Sequence, residues 1–530
     1  MKSYTKSTLI SYAALFSVCI WPFLNILNQN KLSLYNVSSI LWQTCIILLF
    51  TIIVCSLSYL ISLKFKISQI RLNILLIIAL IFSFSYSNLA TTLGVKFFPH
   101  TVFTYKISFN VCWILLLFGV CFLVWRNSKS KLLQQVLLFV SFALPFIPIT
   151  QVFSYYIKQA FVSEGNKIFS QNEAEQFIFQ HHNNVYFLML DAYARHDILK
   201  QQLNFQNQNF LDKLVEKGFF VANKSVSNYH FTRASLSSMF NMDYHKNTQL
   251  GVEEQKFTIP FQGRNRLIDA FRANGYKYIA APSGIWSQID CSGVEDLCIK
   301  PYINLELINL VLELTPFKRI LDRFRGHFYT DFDDLEKAII AFPNQPKFIF
   351  AHFAQIHDGI YDADCNFKNG AGHPILCCPD RTKDYTNSIN CFNNKLLLFI
   401  DKVLAVDPNA IIILQADHGP TIVAENDPSA CEFWTKNYGS LQINSRKEYE
   451  NLYGVLSAMR IPASLNKQQL LYDSISPVNI FRAVFAYLQE KNPSYIEDKS
   501  YLLFNDQANN GYLVTKNLSE FRNSEIRKKE

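Results

Sequence analysis

The sequence predicts an N-terminal α-helical transmembrane bundle joined to a soluble α/β domain with a mostly parallel central sheet and helices on both faces. Three observations carry this expectation. Long charge-free apolar stretches fill the first third of the chain. From residue 184, short β-rich apolar runs alternate with helical patterns. Three of those runs end on ionisable side chains, the place where open parallel sheets gather functional groups. The overall composition of the 530 residues, 50% hydrophobic and 17% charged, averages two populations that meet near residue 158.

The apolar stretches span residues 7–30, 38–63, 72–95, 107–125 and 132–157. Each is near or above the ~20 residues that cross a hydrocarbon core. The first follows Lys2 and Lys6 like a signal peptide, but it lacks an Ala-x-Ala site and is followed by four similar stretches, so it reads as a retained helix. Lys64, Lys66 and Arg71, then Arg126, Lys129 and Lys131, share one face with Lys2 and Lys6, against Lys31, Lys96 and Lys106 on the other. Basic loop residues stay cytoplasmic, so five crossings place everything after residue 158 outside. The expectation is a multi-pass protein of a bacterial-type inner (plasma) membrane with an extracytoplasmic domain. The stretches carry no intramembrane charge, which argues against a transporter. The net charge of +8 sits largely in cytoplasmic loops and the tail Arg527-Lys528-Lys529, facing lipid head groups or solvent, so no nucleic-acid partner is expected.

Residues 1–157 are thus read as a five-helix membrane domain and 158–183 as an amphipathic linker along the membrane surface, with Phe161, Phe177 and Phe179 on its apolar side and a solvated His181-His182. Residues 184–505 form the soluble domain and 506–530 a polar, loosely held tail. Within the domain, 185–190, 276–281, 347–352 and 410–415 read as strands. Helical spacing covers 207–217, 264–273, 388–406 and 477–488. Seven of the twelve cysteines, Cys291, Cys298, Cys365, Cys377, Cys378, Cys391 and Cys431, lie in this part. Without a Cys-x-x-Cys pair, disulfides are favoured over metal, Cys291 with Cys298 being the local candidate, and an odd thiol is left over.

The strand 185–190 ends at Asp191, 347–352 reaches His352 with His357 five residues on, and 410–415 leads to Asp417-His418-Gly419. Singly these are a helix cap, a core histidine and a polar turn. Jointly they form a mixed oxygen and nitrogen set suited to Zn²⁺ or Mn²⁺. These segments, with Ser227-Asn228-Tyr229-His230-Phe231-Thr232-Arg233-Ala234-Ser235, resemble the alkaline phosphatase superfamily. Within it they are similar to the sulfatase-like branch of membrane-anchored phosphoglycerol and phosphoethanolamine transferases. The resemblance implies an alkaline-phosphatase/sulfatase-like fold, Asp191, Thr232, Asp417 and His418 as metal ligands, Thr232 as nucleophile and His357 as the contact to the substrate oxyanion.

A threonine hydroxyl is a poor nucleophile until a dication lowers its pKa, and a covalent phosphothreonine would follow. Ser235 is the rival nucleophile, although Ser235, Ser237 and Ser238 read as ordinary surface serines of a helix over 235–240. His352 and Arg233 are candidate substrate contacts, with Lys224 and His230 nearby. Sulfatases carry Cys or Ser followed by x-Pro-x-Arg for conversion to formylglycine, which Thr232-Arg233-Ala234-Ser235-Leu236 lacks. His357 is followed by Asp358-Gly359, where many relatives have prolines. Three functions are set against one another: a transferase taking a phospho-group from a membrane lipid donor to a glycan or lipid acceptor, a hydrolase of the same fold, and a non-catalytic glycan-binding envelope protein.

Overall fold

The computed structural model describes residues 6–29, 37–97, 102–162, 177–245, 265–283, 291, 294–300, 311, 314–315, 329–368, 374–423, 443, 445–462, 470–506 and 512–523. The chain divides into two compact units, Met1–Lys167 with Leu305–Phe324 and Ile168–Asn304 with Arg325–Glu530.

The first unit contains five long helices, α1 (Lys6–Gln29), α2 (Val37–Phe65), α3 (Gln69–Phe97), α4 (Val102–Asn127) and α5 (Lys131–Val162). Among the described residues, four are long and apolar enough to cross a membrane, through Lys6–Asn25, Thr44–Phe65, Gln69–Tyr86 and Lys131–Gln151, while α4 supplies the shorter apolar stretch Val111–Asn127. Large apolar side chains such as Ile52, Leu115 and Phe139 point outward, as lipid-facing residues must. α1 packs on α3 and α5. A buried polar node ties three helices together: Asn73 donates to Ser11 Oγ (2.9 Å) and accepts from Ser58 Oγ (2.6 Å). In hydrocarbon such amides must find partners within the bundle.

In the second unit a seven-stranded sheet has the order β2-β9-β7-β1-β5-β3-β4. The strands are β1 (Val185–Leu190), β2 (Phe220–Val221), β3 (Lys277–Ala281), β4 (Leu297–Cys298), β5 (Lys347–Phe353), β7 (Ile411–Gln415) and β9 (Ser457–Arg460). β6 (Ile375–Leu376) pairs with β8 (Thr421–Ile422), and β10 (Tyr501–Asp506) with β11 (Tyr512–Asn517). The helices are α6 (His196–Leu203), α7 (Gln208–Glu216), α8 (Thr232–Asn241), α9 (Arg266–Ala273), α10 (Phe332–Ile340), α11 (Gln355–Asp358), α12 (Pro379–Val406), α13 (Arg446–Tyr453), α14 (Pro477–Leu488) and α15 (Ser519–Asn523). β1 is parallel to β5 and β7, and β9 joins β7 antiparallel.

The pleat sends Val185, Phe187, Met189, Phe348, Phe350, Ile411 and Ile413 to one face, under α8, α9 and α14. Tyr186, Leu188, Ile349, Ala351, Ile412 and Leu414 go to the other, under α7, α10 and α12. Both faces are covered, so the central strands read as unbroken apolar runs.

Several expectations change. α12 begins nine residues before the 388–406 pattern, at Pro379, because its first turns, Asp380 to Lys383, are polar and carry no apolar period. Phe177 and Phe179 are not membrane-surface anchors. Phe179 is buried, and both rings pack on Phe485 of α14 at 4.8 and 5.0 Å. The adjoining histidines keep solvent exposure, as expected, while His181 pairs with Glu490 (2.8 Å) and stacks on Tyr487 and His182 stacks on Tyr276. Residues 163–176 of the proposed linker lie outside the described residues. Past residue 505, where a loose tail is expected, Tyr512–Asn517 completes a hairpin and Leu518 is fully buried. Cys291–Cys298 and Cys365–Cys391 are disulfides, Cys377 is disulfide-bonded as well, and Cys378 is a free thiol.

Candidate active site

The register sets the site. Met189 of β1 lies between His352 of β5 and Gln415 of β7, so the acids two residues beyond, Asp191 and Asp417, emerge together at the carboxyl edge. Ala192 follows in a left-handed conformation (φ +59°), unusual for a residue with a Cβ. The turn is held from both sides: the Ala192 amide donates to Asp417 Oδ1 (3.2 Å) and its carbonyl accepts from Tyr385 of α12 (2.7 Å). Such local strain persists only where surroundings over-determine it. Gly419 is required by packing, because a Cβ there would stand 2.6 Å from the carbonyl oxygen of Asn451.

Thr232 is the first residue of α8. Its Oγ1 lies 3.4 Å from Asp191 Oδ2 and 3.4 Å from His418 Nε2. His418 Nε2 is 3.5 Å from Asp191 Oδ1 and 3.6 Å from Asp417 Oδ2. Ligand atoms of Asp191, Asp417 and His418 all fall within 4.8 Å of one another. His418 Nδ1 faces the Gly419 carbonyl at 2.9 Å. A carbonyl only accepts, so Nδ1 carries the hydrogen, and in the neutral ring Nε2 offers its lone pair to the cluster. Asp191 Oδ1 and Asp417 Oδ2 are buried and accept no hydrogen bond. Two orphaned carboxylate oxygens, a hydroxyl and an imidazole lone pair converging on one point fit a divalent cation of the oxygen and nitrogen type.

The electrostatics agree with that fit. Burial would raise the Asp191 carboxyl, but His357, His352 and His418 together hold it down at about 2. Asp417 is raised, by burial and then by the charge on Asp191, as expected of two carboxylates sharing one site. Burial would lower His357, yet Asp191, the adjoining Asp358 and Asp417 bring it up to about 9. His230 is pushed down to about 3 by burial and by His418, so it offers an anion no charge.

The structure thus brings Asp191, Thr232, Asp417 and His418 together, with the His357 ring 6.2 Å from that of His418. His352 is fully buried behind the acid, and its Nε2 donates to Asp191 Oδ2 at 3.1 Å. Arg233 is half-buried, and one residue along a helix turns it about 100° from Thr232. Lys224 is exposed. The expected surface serines are buried: Ser235 is 0% exposed and donates to the carbonyls of Asp417 (2.9 Å) and Tyr229 (3.1 Å). The helical pattern hid them because polar residues normally mark the solvent face.

Two residues have a place here that their sequence context did not announce. Asp358 accepts from His357 Nδ1 at 2.6 Å and from the Tyr329 hydroxyl at 2.5 Å. Asp358 left a trace, as an acid where relatives carry other residues; Tyr329, 29 positions upstream, left none.

A mostly parallel α/β sheet with acids, an imidazole and a hydroxyl gathered at its carboxyl edge is the arrangement expected of an enzyme of the alkaline phosphatase superfamily, sulfatase-like branch. A model of the family named Sulfatase matches residues 183–488, and the chain belongs to that family. No curated protein sequence matches this one. Among solved structures, the chain is similar to the integral membrane lipooligosaccharide phosphoethanolamine transferase A of Neisseria meningitidis at 14% identity and a TM-score of 0.36, over 92% of this chain and 96% of that one. It is similar to the C-terminal periplasmic domain of EptC from Escherichia coli at 14% identity and a TM-score of 0.36, over 62% of this chain and 90% of that one. A putative sulfatase from Bacteroides thetaiotaomicron gives 12% identity and a TM-score of 0.35, over 62% and 78%.

Proposed function

We propose that this membrane protein is a metal-dependent transferase. It takes a phosphoglycerol-like or phosphoethanolamine-like group from a membrane lipid to an extracytoplasmic glycan or lipid, through a phosphothreonine at Thr232. The observation that carries this reading is the Thr232 hydroxyl, 3.4 Å from both Asp191 and His418 beside two orphaned carboxylate oxygens. A divalent cation, Zn²⁺ or Mn²⁺ by the donor set, would when held by Asp191, Thr232, Asp417 and His418 lower the hydroxyl pKa and offset charge on the phosphoryl group. The missing Cys/Ser-x-Pro-x-Arg sequence speaks against sulfate-ester cleavage through formylglycine.

The chain's own residues account for the proton and bond changes. Thr232 Oγ1 forms the bond to phosphorus, and its proton has Asp191 Oδ2 within reach. The bond from phosphorus to the lipid oxygen breaks, and His357 gives that oxygen a proton. In the second half an acceptor hydroxyl attacks the phosphothreonine and gives its proton to His357, while the bond from phosphorus to Thr232 Oγ1 breaks and the threonine oxygen takes back its own proton from Asp191. His352 serves to hold Asp191 in place, and Arg233 remains a candidate for the anionic substrate. The basic loops support an extracytoplasmic site, where a lipid donor is concentrated at the membrane surface. Incubation with membrane lipid followed by mass spectrometry should find a phospho-adduct on the Thr232 peptide, which an added acceptor discharges into product. An adduct discharged equally fast by water alone makes the protein a hydrolase. A Thr232→Ala protein with full activity removes the covalent mechanism.

A further inference from the structure

His357 has two ring nitrogens, and the role given to it above needs one of them held and the other presented to substrate. The neighbourhood of Nδ1 is built from three separate parts of the chain. The first is α11, whose left-handed cap at Gly359 (φ +62°) turns Asp358 back along its own helix, so that Oδ1 meets His357 Nδ1 at 2.6 Å. A Cβ at Gly359 would approach Asp384 of α12 at 3.4 Å, so this turn lies close against that helix.

The second is the segment before α10. The Thr330 amide donates to the Ser283 carbonyl beyond β3 (3.1 Å), and Gln355 of α11 donates to the Thr330 carbonyl (2.7 Å). The Thr330 hydroxyl also donates to the Pro282 carbonyl. Those ties hold Tyr329, whose hydroxyl donates to Asp358 Oδ2 at 2.5 Å. The third is the loop after α11. Its Cys365 is bonded to Cys391 of α12, and Tyr361 and Phe367 pack with Cys391 against the Tyr329 ring. Asp358 and Tyr329 are 4% and 8% exposed, so this carboxylate is shielded from solvent and engaged on both oxygens.

We infer that Asp358 and Tyr329 are positioning residues that fix the tautomer and aim of His357, so that Nε2 is the nitrogen presented to the leaving and accepting oxygens. The inference rests on the phosphotransfer reading of the site. Asp358 accepts the Nδ1 hydrogen and stays a carboxylate throughout. Tyr329 removes the second oxygen from competition and sets the carboxylate plane, which sets the ring. In the forward step the proton leaves Nε2 for the departing alkoxide as the phosphorus–oxygen bond breaks; in the return step Nε2 takes the proton of the acceptor hydroxyl. A carboxylate that orients an imidazole in this way acts through the ring and never touches substrate.

The test uses the full-length chain in detergent with Zn²⁺ or Mn²⁺ and two phosphodiesters differing only in the leaving group, methyl p-nitrophenyl phosphate and methyl phenyl phosphate. The nitrophenolate departs without a proton, whereas the phenolate gains from one. Asp358→Asn should lower kcat/KM, which covers only formation of the phosphothreonine, on the phenyl ester about 10²-fold, and Tyr329→Phe about tenfold, in the range of general acid and orienting effects. On the nitrophenyl ester kcat/KM of both should stay within about threefold of the unaltered chain. Tyr329→Phe keeps the ring that packs on Phe367, and thermal unfolding of both variants reports whether they fold. Equal losses of kcat/KM on the two esters, or no loss on either, overturn the inference. Thr232→Ala is measured alongside: if it is inactive while the Asp358 and Tyr329 variants match the unaltered chain, only this inference fails, and if it is active the phosphothreonine reading fails.

Discussion

Asp191 and Asp417 each keep one buried oxygen that accepts no hydrogen bond, while beside His357 both oxygens of Asp358 are taken, by His357 and by Tyr329. All three acids are shielded from water, and a buried carboxylate is costly unless something answers its charge. On the Asp358 flank the answer is protein: an imidazolium and a phenol. On the Asp191 flank the protein supplies histidines but leaves two lone-pair directions unanswered, which is the signature of a place kept for a cation. One flank is answered as folded, and the other is left for the cation proposed above.

The largest expected effect tests the loaded flank. Thr232→Ala should lower transfer at least about 10³-fold, as loss of a nucleophile does, and chelation of the unaltered chain should do the same reversibly. Restoration of activity by Zn²⁺ or Mn²⁺ after chelation, measured on the same preparation, ties both losses to one centre. Activity that survives exhaustive chelation would break the contrast between the flanks.

The pH dependence of stability separates the flanks by range: both lose stability as pH rises, Asp417 from the ordinary carboxylate range upward and His357 between pH 6.5 and about 9. In the metal-free chain His357 stands at about 9 against an ordinary 6.5, because Asp191, Asp358 and Asp417 outweigh its burial. Its folded value is the higher one, so its contribution is whole below pH 6.5 and is lost as pH climbs to about 9, a change on the order of 3 kcal/mol. Asp417 is raised by burial and by Asp191, so its ionisation costs stability as pH rises above the ordinary carboxylate range. Denaturant titrations at pH 6 and pH 9 should show the metal-free chain weaker at the higher pH. In His357→Gln the drop between those two values should largely vanish.

Substitution of the acids themselves should give opposite results. Asp417→Asn removes a buried carboxylate with an unanswered oxygen, and is expected to stabilise the metal-free chain by about 1–2 kcal/mol while abolishing cation binding. Asp358→Asn leaves His357 and Tyr329 facing a neutral amide, and is expected to destabilise by about 2 kcal/mol. Thermal unfolding with and without added Zn²⁺ measures both. Destabilisation of the metal-free chain by Asp417→Asn would mean that the oxygen is answered after all.

How much of this was legible in the sequence follows the same division. Asp191 and Asp417-His418 stand directly after apolar strand runs, so their positions at the sheet edge could be read from pattern alone. Thr232 needed the family resemblance, because the local ground for setting Ser235 aside, serines on a helix surface, is overturned by their burial. The strands β1, β3, β5 and β7 were readable because burial on both faces makes them uniformly apolar. β2 and β9 were not, since both are short and pair with strands far along the chain, and the β10–β11 hairpin, whose strands are neighbours in sequence, was hidden by polar residues past 505. Tyr329 was illegible for the same reason, since its partner acid lies 29 residues away and no spacing rule connects them. Phe177 and Phe179 were misread because an aromatic flanking a membrane stretch looks the same whether it faces lipid or the α14 side chains.

The smallest effect discriminates between neighbours on one helix. Ser235 lies one turn after Thr232 and hydroxyl chemistry alone does not tell them apart, but its Oγ is committed to the carbonyls of Asp417 and Tyr229. A hydroxyl hydrogen shared between two carbonyls is engaged away from phosphorus, and the bond to Asp417 steadies the backbone that carries two of the proposed ligands, Asp417 and His418. Ser235→Ala should therefore cost about 1 kcal/mol of stability and lower cation affinity by less than about tenfold, leaving kcat at saturating metal close to the unaltered value. Isothermal titration with Zn²⁺ and a rate measurement at saturation read the two quantities separately. A loss of kcat as deep as that of Thr232→Ala would transfer the nucleophile to Ser235 and leave Thr232 as a ligand only.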